Sequence, residues 1–209
     1  LGVLLMDVGA GTTDLAWLSE DDVQLVSGLP FGGNHLTNDL SMVLGVPFVA
    51  AEELKVGFAS AQPSSFSEDD SVDAGSFSDG EEKLVSRRLM SEVVEARVAE
   101  IFDLAMDQLK EGGFDGVLPA GAVLTGAGAQ MRGLRDAAQE FLQVPVRLGQ
   151  PDGLDEPLDS MVSPAYSTGV GILKWVVSQP GDLVAGRSMK RGSSGVFGRL
   201  KAMIRAFIP

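Results

Sequence analysis

The chain has 209 residues, a net charge of −13 and no cysteine, and 44% of its residues are hydrophobic against 22% charged. This composition is typical of a globular protein with one domain or two small ones, and it excludes disulfides and thiolate metal sites. The single histidine, His35, argues against a histidine-based triad or metal centre, and the negative charge argues against nonspecific nucleic-acid binding.

The first residues are strand-like, and the chain carries neither an initiator Met nor a signal peptide. We therefore expect it to be a piece of a longer protein. Strand-like segments cover 3–8, 14–18 and 23–27, and the short polar turns between them predict an antiparallel meander. A glycine pair then precedes an amphipathic helix, with Asn34 or Thr37 as its candidate caps, and a second short helix is predicted for 50–58.

The middle of the chain begins with a segment, 60–82, that is rich in Ser, Asp and Glu and has little periodicity, which is typical of a solvated, mobile loop. A long amphipathic helix is predicted for 87–110, with Leu89 among its core-facing residues. After it, "GAVLTGAGAQMRGLRDAAQEFL" predicts a buried strand, a glycine turn and a helix, "VPVRLG" a short strand, and 163–177 a further helix. Strands that alternate with helices predict an α/β fold.

The C-terminal segment differs in character from the acidic body. A Gly/Ser-rich basic linker over 180–194 leads to 195–209, where apolar residues recur at helical spacing and basic residues keep mainly to other faces: Val196, Phe197, Leu200, Met203, Ile204 and Phe207, with Arg199, Lys201 and Arg205. This pattern favours an amphipathic helix on an anionic lipid surface. A terminal helix that docks on the core, or one that binds a partner, is the alternative.

The sequence "DVGAGTTD" joins the first two strands and contains Asp7, Gly9, Gly11, Thr12 and Thr13. Glycine lets the backbone turn sharply, and a carboxylate, hydroxyls and free amides are groups that bind a phosphate–metal cluster. The motif alone leaves a tight hairpin, with Asp7 as a capped turn residue, as an equal alternative.

Two more glycine turns follow in order, "PFGGNHLTNDL" with "AEELK" after it, and "VLTGAGAQMRGL". Together with the tail, these sites resemble the second half of the actin-like ATPase fold of actin, Hsp70 and sugar kinases, and within it the FtsA family of bacterial cell-division proteins. The resemblance covers essentially the whole chain. It implies actin-like subdomain 2A over 1–59, a smaller inserted subdomain 2B over 60–116, a return to 2A over 117–178, a linker over 179–194 and a membrane-targeting amphipathic helix over 195–209.

The resemblance also implies an ATP and Mg²⁺ site. Asp7 would be the catalytic-site residue near Mg²⁺, held through water, and the amides of 9–13 would hold the β- and γ-phosphates. The other implied nucleotide contacts are Gly32, Gly33, Glu52, Lys55, Gly126, Ala127 and Gly128. Glu52 and Lys55 alone would predict only a local salt bridge, and Ala127 stands where the family usually has glycine. Because the first phosphate loop lies in an N-terminal half that the chain lacks, we expect this chain alone to bind ATP weakly. Hydrolysis is left open, as possible weak ATPase activity of the full-length protein.

The implied partners are the C-terminal tail of the tubulin-like protein FtsZ, other copies in a filament, and an anionic membrane. Arg88 and Arg97, on the long helix, could meet acidic groups of the FtsZ tail, or they are ordinary surface charges. The implied function is to tether the FtsZ ring to the cytoplasmic side of the cell membrane, as a peripheral protein at the septum, and to polymerise during septum formation. The alternatives are another actin-like adaptor, such as the pilus-assembly protein PilM, or a carbohydrate kinase of the same superfamily.

Overall fold

The computed structural model describes residues 2–20, 22–77, 81–114, 116–153 and 159–178. The predicted linker and amphipathic helix over 179–209 lie outside these residues. Strands within the described ranges are β1 Val3–Val8, β2 Thr13–Ser19, β3 Asp22–Leu29, β4 Ser71–Asp73, β5 Leu84–Ser86, β6 Ala122–Thr125 and β7 Val146–Leu148. The α-helices there are α1 Gly33–Leu44, α2 Phe48–Phe58, α3 Arg87–Glu111, α4 Leu134–Leu142 and α5 Ser167–Ser178.

The chain divides into two units, the first over 1–171 and the second from Ile172 onward. The described part of the second unit consists of the last residues of α5. The predicted boundaries of subdomains 2A and 2B, at 59/60 and 116/117, stay predictions. No helix in the described ranges combines the length and apolar character needed to cross a membrane.

A five-stranded sheet, in the order β3-β2-β1-β6-β7, forms the centre of the first unit. The predicted antiparallel meander of β1, β2 and β3 is confirmed. Strand β6 pairs in parallel with β1, and β7 pairs in parallel with β6. Parallel strands need long crossovers; α1, α2 and α3 lie in the first connection and α4 in the second. The sheet is therefore mixed, with an antiparallel part from β1 to β3 and a parallel part from β1 to β7.

The longest helix, α3, is confirmed almost to the residue, and its buried side chains recur at helical spacing: Met90, Val94, Val98, Ile101, Phe102, Ala105 and Leu109. Leu89, which we placed on the core side, is 44% exposed. The Ser86 hydroxyl accepts a hydrogen bond from the Leu89 amide at 3.3 Å and so caps the helix start. The apolar pattern alone therefore misplaces Leu89, which lies in the first turn of α3 beside the cap.

The predicted caps of α1 are wrong, because Gly32 is the N-cap and its amide donates to Nδ1 of His35 at 3.1 Å. Thr37 is fully buried and its hydroxyl lies 3.0 Å from the Gly33 carbonyl oxygen. The predicted start of the last helix is also too early, because a 3₁₀ turn over Pro164–Tyr166 precedes α5.

The segment over 60–82, predicted as a solvated, mobile loop, contains regular structure in its described part. Strand β4 pairs with β5 in an antiparallel hairpin, 3₁₀ turns cover Pro63–Ser65 and Ala74–Phe77, and Ala61 is fully buried. The polar side chains serve the local backbone: Asp73 Oδ1 accepts from the amides of Gly75 at 2.9 Å and Lys83 at 2.8 Å. Such local bonds order a polar segment that composition alone marks as disordered.

Arg87 joins the hairpin region to α2. Its guanidinium carbon lies 4.1 Å from the ring centroid of Phe66 and 5.8 Å from that of Phe58, and Nε donates to the Phe58 carbonyl oxygen at 3.1 Å. Stacking and hydrogen bonding by one planar group are the combination that lysine cannot reproduce.

We expect Arg87→Ala to lower the free energy of unfolding by about 1–2 kcal/mol, from the lost cation–π contact and hydrogen bond. Arg87→Lys should be intermediate. The control is Arg88→Ala, because Arg88 is exposed and its ion pairs among the described residues are surface contacts, with Glu92 at 3.3 Å and Glu68 at 3.8 Å; it should cost less than about 0.5 kcal/mol. Urea denaturation measures all three, and equal losses for Arg87→Ala and Arg88→Ala would contradict the assignment.

Candidate functional site

The parallel pair β1–β6 brings two of the predicted loops to one edge of the sheet. Asp7 of β1 lies opposite Thr125 of β6, and both strands end within one residue of this pair. The loop from Gly9 to Thr12 leaves β1, and the turn from Gly126 leaves β6. The carboxyl ends of neighbouring parallel strands are where open α/β sheets bind ligands.

The loop after β1 is a tight turn in which the Gly9 amide donates to the Thr12 carbonyl oxygen at 2.8 Å. The carbonyl oxygens of Gly9 and Ala10 accept from the first amides of α1, Gly33 at 3.0 Å and Asn34 at 2.7 Å. Within the described part of the chain, the amides of Ala10, Gly11 and Thr12 have no hydrogen-bond partner, and all three residues are exposed. Successive free amides in a turn are an anion-binding arrangement.

Thr13 does not present its hydroxyl in this loop. The residue is fully buried and its Oγ1 donates to the Phe31 carbonyl oxygen at 2.9 Å. Among the predicted loop residues, Thr13 therefore fastens β2 to the segment before α1, whereas Gly11 and Thr12 face outward.

Lys55 and Glu52 form the salt bridge that their spacing predicts, with Nζ and Oε2 2.6 Å apart. Lys55 is buried, and its Nζ also donates to the Gly33 carbonyl oxygen at 3.0 Å and to the Thr37 hydroxyl at 2.9 Å. Partial burial raises the pKa of Glu52, but hydrogen bonds from Lys55 and Thr37, together with the Lys55 charge, outweigh it and lower that pKa below its usual value. The pair thus stays ionised down to acidic pH, and its stabilisation is lost as the pH falls through the lowered pKa of Glu52.

The turn after β6 lies directly against β1. Gly126 has φ +86°, and a Cβ there would lie 2.3 Å from Oδ1 of Asp7; a Cβ on Gly128 would lie 2.6 Å from Cγ1 of Val8. Ala127 has φ −64° and ψ −37°, an ordinary helical conformation that alanine adopts without strain. The alanine that departs from the family pattern therefore occupies a position at which glycine is not required.

These segments enclose a cavity of about 480 Å³, a volume suited to a small-molecule ligand. Half of the twelve predicted nucleotide-site residues line it, namely Gly9, Gly33, Glu52, Lys55, Ala127 and Gly128. The others do not line it, namely Asp7, Gly11, Thr12, Thr13, Gly32 and Gly126. Gly32 packs beneath the loop, since a Cβ there would lie 2.6 Å from the Gly9 carbonyl oxygen.

Arg132 also lines this cavity, although the sequence patterns did not predict it as a site residue. Its carbonyl oxygen accepts from the Ala61 amide at 2.8 Å and the Ser60 hydroxyl at 3.2 Å, which holds its backbone beside the segment that follows α2. Its guanidinium has no ion pair or hydrogen bond among the described residues, whereas Lys55 is matched by Glu52. The feature of the sequence that indicates Arg132 is its position four residues after the Gly126–Gly128 turn.

Two further polar residues lie beside Asp7. Asp14 stands opposite Asp7 in the β1–β2 register and is exposed; it ends the "DVGAGTTD" motif and was open to prediction. Thr168, near the start of α5, donates its hydroxyl to Asp7 Oδ2. No local pattern indicates that contact, because most of the chain separates the two residues. In the described ranges, no group of three or more metal-binding side chains occurs.

Both predicted partner-binding arginines already pair within the chain. Arg97 binds Asp39 through Nε at 2.6 Å and through its second terminal nitrogen at 3.0 Å, and it also contacts Glu100. Hydrogen bonding to Asp39, against opposing desolvation, and the charges of Asp39 and Glu100 raise the pKa of Arg97. A peptide that bound Arg97 would have to compete with these carboxylates, while the exposed Arg88 is held only by surface pairs.

We expect Gly126→Ala to lower the free energy of unfolding by about 2 kcal/mol or more, because alanine is strained at positive φ and its Cβ would clash with Asp7. The matched control is Ala127→Gly, which should cost only about 0.5–1 kcal/mol through backbone entropy. Urea denaturation is the measurement. Full tolerance of Gly126→Ala would show that this turn does not approach β1 as described.

Solved structures with a similar fold are actin-like proteins. MreB5 of Spiroplasma citri, in a crystal structure bound to AMPPNP, aligns with a TM-score of 0.64 at 21% identity, over 85% of this chain and 54% of that chain. The PilM–PilN type IV pilus biogenesis complex aligns with a TM-score of 0.61 at 18% identity, over 84% of this chain and 46% of that chain. The predicted half of an actin-like α/β fold is therefore confirmed.

Sequence comparison identifies the family within that fold. The family model of the cell division protein FtsA matches residues 4–171. FtsA of Pseudomonas aeruginosa is 37% identical over 182 residues, which are 87% of this chain and 44% of that protein. FtsA of Neisseria meningitidis serogroup B is 32% identical over 98% of this chain and 50% of its own length. The chain thus spans about half the length of these curated relatives, and it belongs to the FtsA family of cell-division proteins.

Proposed function

We propose that this chain supplies one wall of an ATP site in an actin-like cell-division protein that tethers the FtsZ ring to the cell membrane and polymerises at the septum. The observation that carries the proposal is the cavity of about 480 Å³, which three separate glycine-containing segments of the chain build together. Residues from the phosphate-loop, ribose and adenosine positions of the family pattern meet there: Gly9, Lys55 and Gly128.

The chemistry of this cavity suits a nucleotide. The exposed amide of Ala10 lines the cavity and offers a donor to phosphate, and the free amides of 11 and 12 continue the same loop. Glu52 offers an acceptor to a sugar hydroxyl, and Arg132 adds a positive charge to the wall. MreB5 of Spiroplasma citri, which shares the fold, has been crystallised with AMPPNP and with ADP. That likeness supports the choice of ATP as the ligand.

The residues at the strand ends also fit Mg²⁺. This ion is held in proteins by one or two carboxylates together with substrate phosphates and water, and Asp7 and Asp14 stand opposite each other at the ends of β1 and β2. When bound, the ion would neutralise charge on the phosphates. Phosphoryl transfer depends mainly on positioning and charge neutralisation, so slow hydrolysis would need no nucleophilic side chain.

The membrane part of the proposal rests on the sequence of 195–209 and on family membership. Residues 179–209 contain six Lys and Arg against one Asp, in a chain whose overall net charge is −13. A basic amphipathic segment of this kind binds anionic lipid headgroups. We propose that it holds the protein on the cytoplasmic side of the cell membrane. The tail also separates this proposal from a PilM-like adaptor, for which we expect no such segment.

The FtsZ and filament parts follow from the family. The C-terminal tail of FtsZ is the proposed peptide ligand, and the exposed Arg88 is the better placed of the two arginines to meet it, because Arg97 is held bidentately by Asp39. Self-association into filaments is proposed on the basis of family membership and the actin-like fold shared with MreB5.

We expect Asp7→Ala, in the intact protein that contains this chain, to weaken ATP binding in the presence of Mg²⁺ by roughly tenfold or more, because a charged ligand of the metal is lost. Binding without Mg²⁺ should be nearly unchanged. The control is Asp107→Ala, which removes an exposed carboxylate that pairs with the exposed Lys110 at 3.2 Å. Calorimetric titration with ATP, with and without Mg²⁺, is the measurement. An unchanged response to Mg²⁺ would remove Asp7 from the site.

We expect Leu200→Glu or Phe207→Glu to release the protein from anionic vesicles more completely than Lys201→Ala does. A buried large apolar side chain contributes on the order of 1.5–3 kcal/mol, and less at an interface, whereas a basic residue near the surface contributes about 1 kcal/mol. Vesicle sedimentation at two salt concentrations measures this, and salt should weaken binding without abolishing it. Equal retention of all three variants would contradict a membrane helix.

A further inference from the structure

Two adjacent hydroxyl residues at the start of α5 are tied to the ends of two neighbouring strands. Thr168 donates its hydroxyl to Oδ2 of Asp7, at the end of β1. The Thr125 hydroxyl, at the end of β6, donates to Oγ of Ser167 at 2.6 Å. Asp7 and Thr125 are register partners in the parallel pair. Ser167 and Thr168, in one turn of α5, therefore contact two residues that lie side by side at the ends of their strands.

The Asp7 carboxylate is confined on two sides. The backbone of Gly126 passes so close to Oδ1 that a Cβ there would lie 2.3 Å away, while Thr168 bonds the other oxygen. Within the described residues, Asp7 takes part in no ion pair. Its orientation is therefore restricted without a cation of the described residues beside it.

A hydroxyl is suited to this task because it donates a hydrogen bond without bringing a charge. The contrast in the same fold is Asp39, whose two oxygens are both taken by the cationic Arg97. A carboxylate paired in that way is a poor ligand for a cation, whereas one held by a neutral donor still attracts a divalent ion with its full charge.

We propose that Thr168 is a positioning residue, which holds Asp7 in the orientation that receives the Mg²⁺–ATP cluster. This inference rests on the proposed function. Carboxylates that bind metal ions are themselves held by hydrogen bonds, and loss of such a partner typically costs 10–100-fold in metal affinity. Orientation before binding removes the entropic cost of ordering the side chain afterwards.

The test is a titration of ATP affinity against Mg²⁺ concentration in the intact protein, with the ligand-free thermal unfolding midpoint measured alongside. We expect Thr168→Val to raise the Mg²⁺ concentration for half-maximal tightening by roughly tenfold, and to leave affinity without Mg²⁺ unchanged. Thr168→Ser keeps the hydroxyl and should behave as the parent does. Because Thr168 is exposed, the Thr168→Val variant should fold as the parent does. Thr168→Ala gives a second variant without the hydroxyl.

Ser167→Ala is the matched control, because it loosens the same turn of α5 from β6 without touching Asp7. It should leave the Mg²⁺ dependence at the parent value, and an equal shift would show that a loosened helix, not Asp7, explains Thr168→Val. If Thr168→Val matches the parent while Asp7→Ala loses the response to Mg²⁺, only the positioning role is wrong. If Asp7→Ala also keeps the response, the Mg²⁺ role of Asp7 in the proposed function is wrong, and the positioning role with it.

Discussion

The parallel pairing of β1 with β6 is the constraint on which the rest of the structure depends. It aligns Asp7 with Thr125 and thereby brings two loops, far apart in the chain, to one edge of the sheet. The pairing also explains the glycines. The chain leaving β6 has to pass against Asp7 and Val8, and Gly126 and Gly128 are the positions at which any Cβ would collide. The crossover that joins the two strands carries α1, α2 and α3, so the residues that line the cavity opposite the loops come from the same connection.

Much of this fold was predictable from local pattern. The meander, α3 and the strand–turn–helix after it follow from periodicity and turn residues, which are properties of short windows. The failures have one physical cause. The cap of α1 depends on a bond between the Gly32 amide and the His35 ring, and the order of 60–77 depends on bonds such as that from the Ser60 amide to the Ser91 hydroxyl at 3.0 Å. Composition reports how polar a segment is, and it does not report where its polar groups find partners.

The site shows the same division. Glu52 and Lys55 were predictable as a pair because they are three positions apart on one helix, and the glycine turns were predictable because glycine clusters mark turns. The family resemblance placed all twelve residues in one site, but the order of motifs carries no distances, and only six of them line the cavity. Thr168 could not be found in this way. Its contact with Asp7 depends on the return of α5 to the ends of β1 and β6. A single threonine at the start of a helix has no local sequence feature that predicts such a partner.

The distribution of charge adds the last step. Several of the cations in the described part of the chain pair with carboxylates: Lys55 with Glu52, Arg97 with Asp39 and Glu100, and Arg88 with Glu92. Two groups differ from these pairs. Arg132 lines the cavity with no carboxylate partner in the described part of the chain, and Asp7, at the end of β1, is held by a neutral hydroxyl. Both groups are available to a ligand, since Arg132 is exposed and Asp7 takes part in no ion pair among the described residues. The proposed nucleotide, bound with a divalent cation, would supply both partners. Its phosphates would pair with Arg132, and its metal ion would bind Asp7.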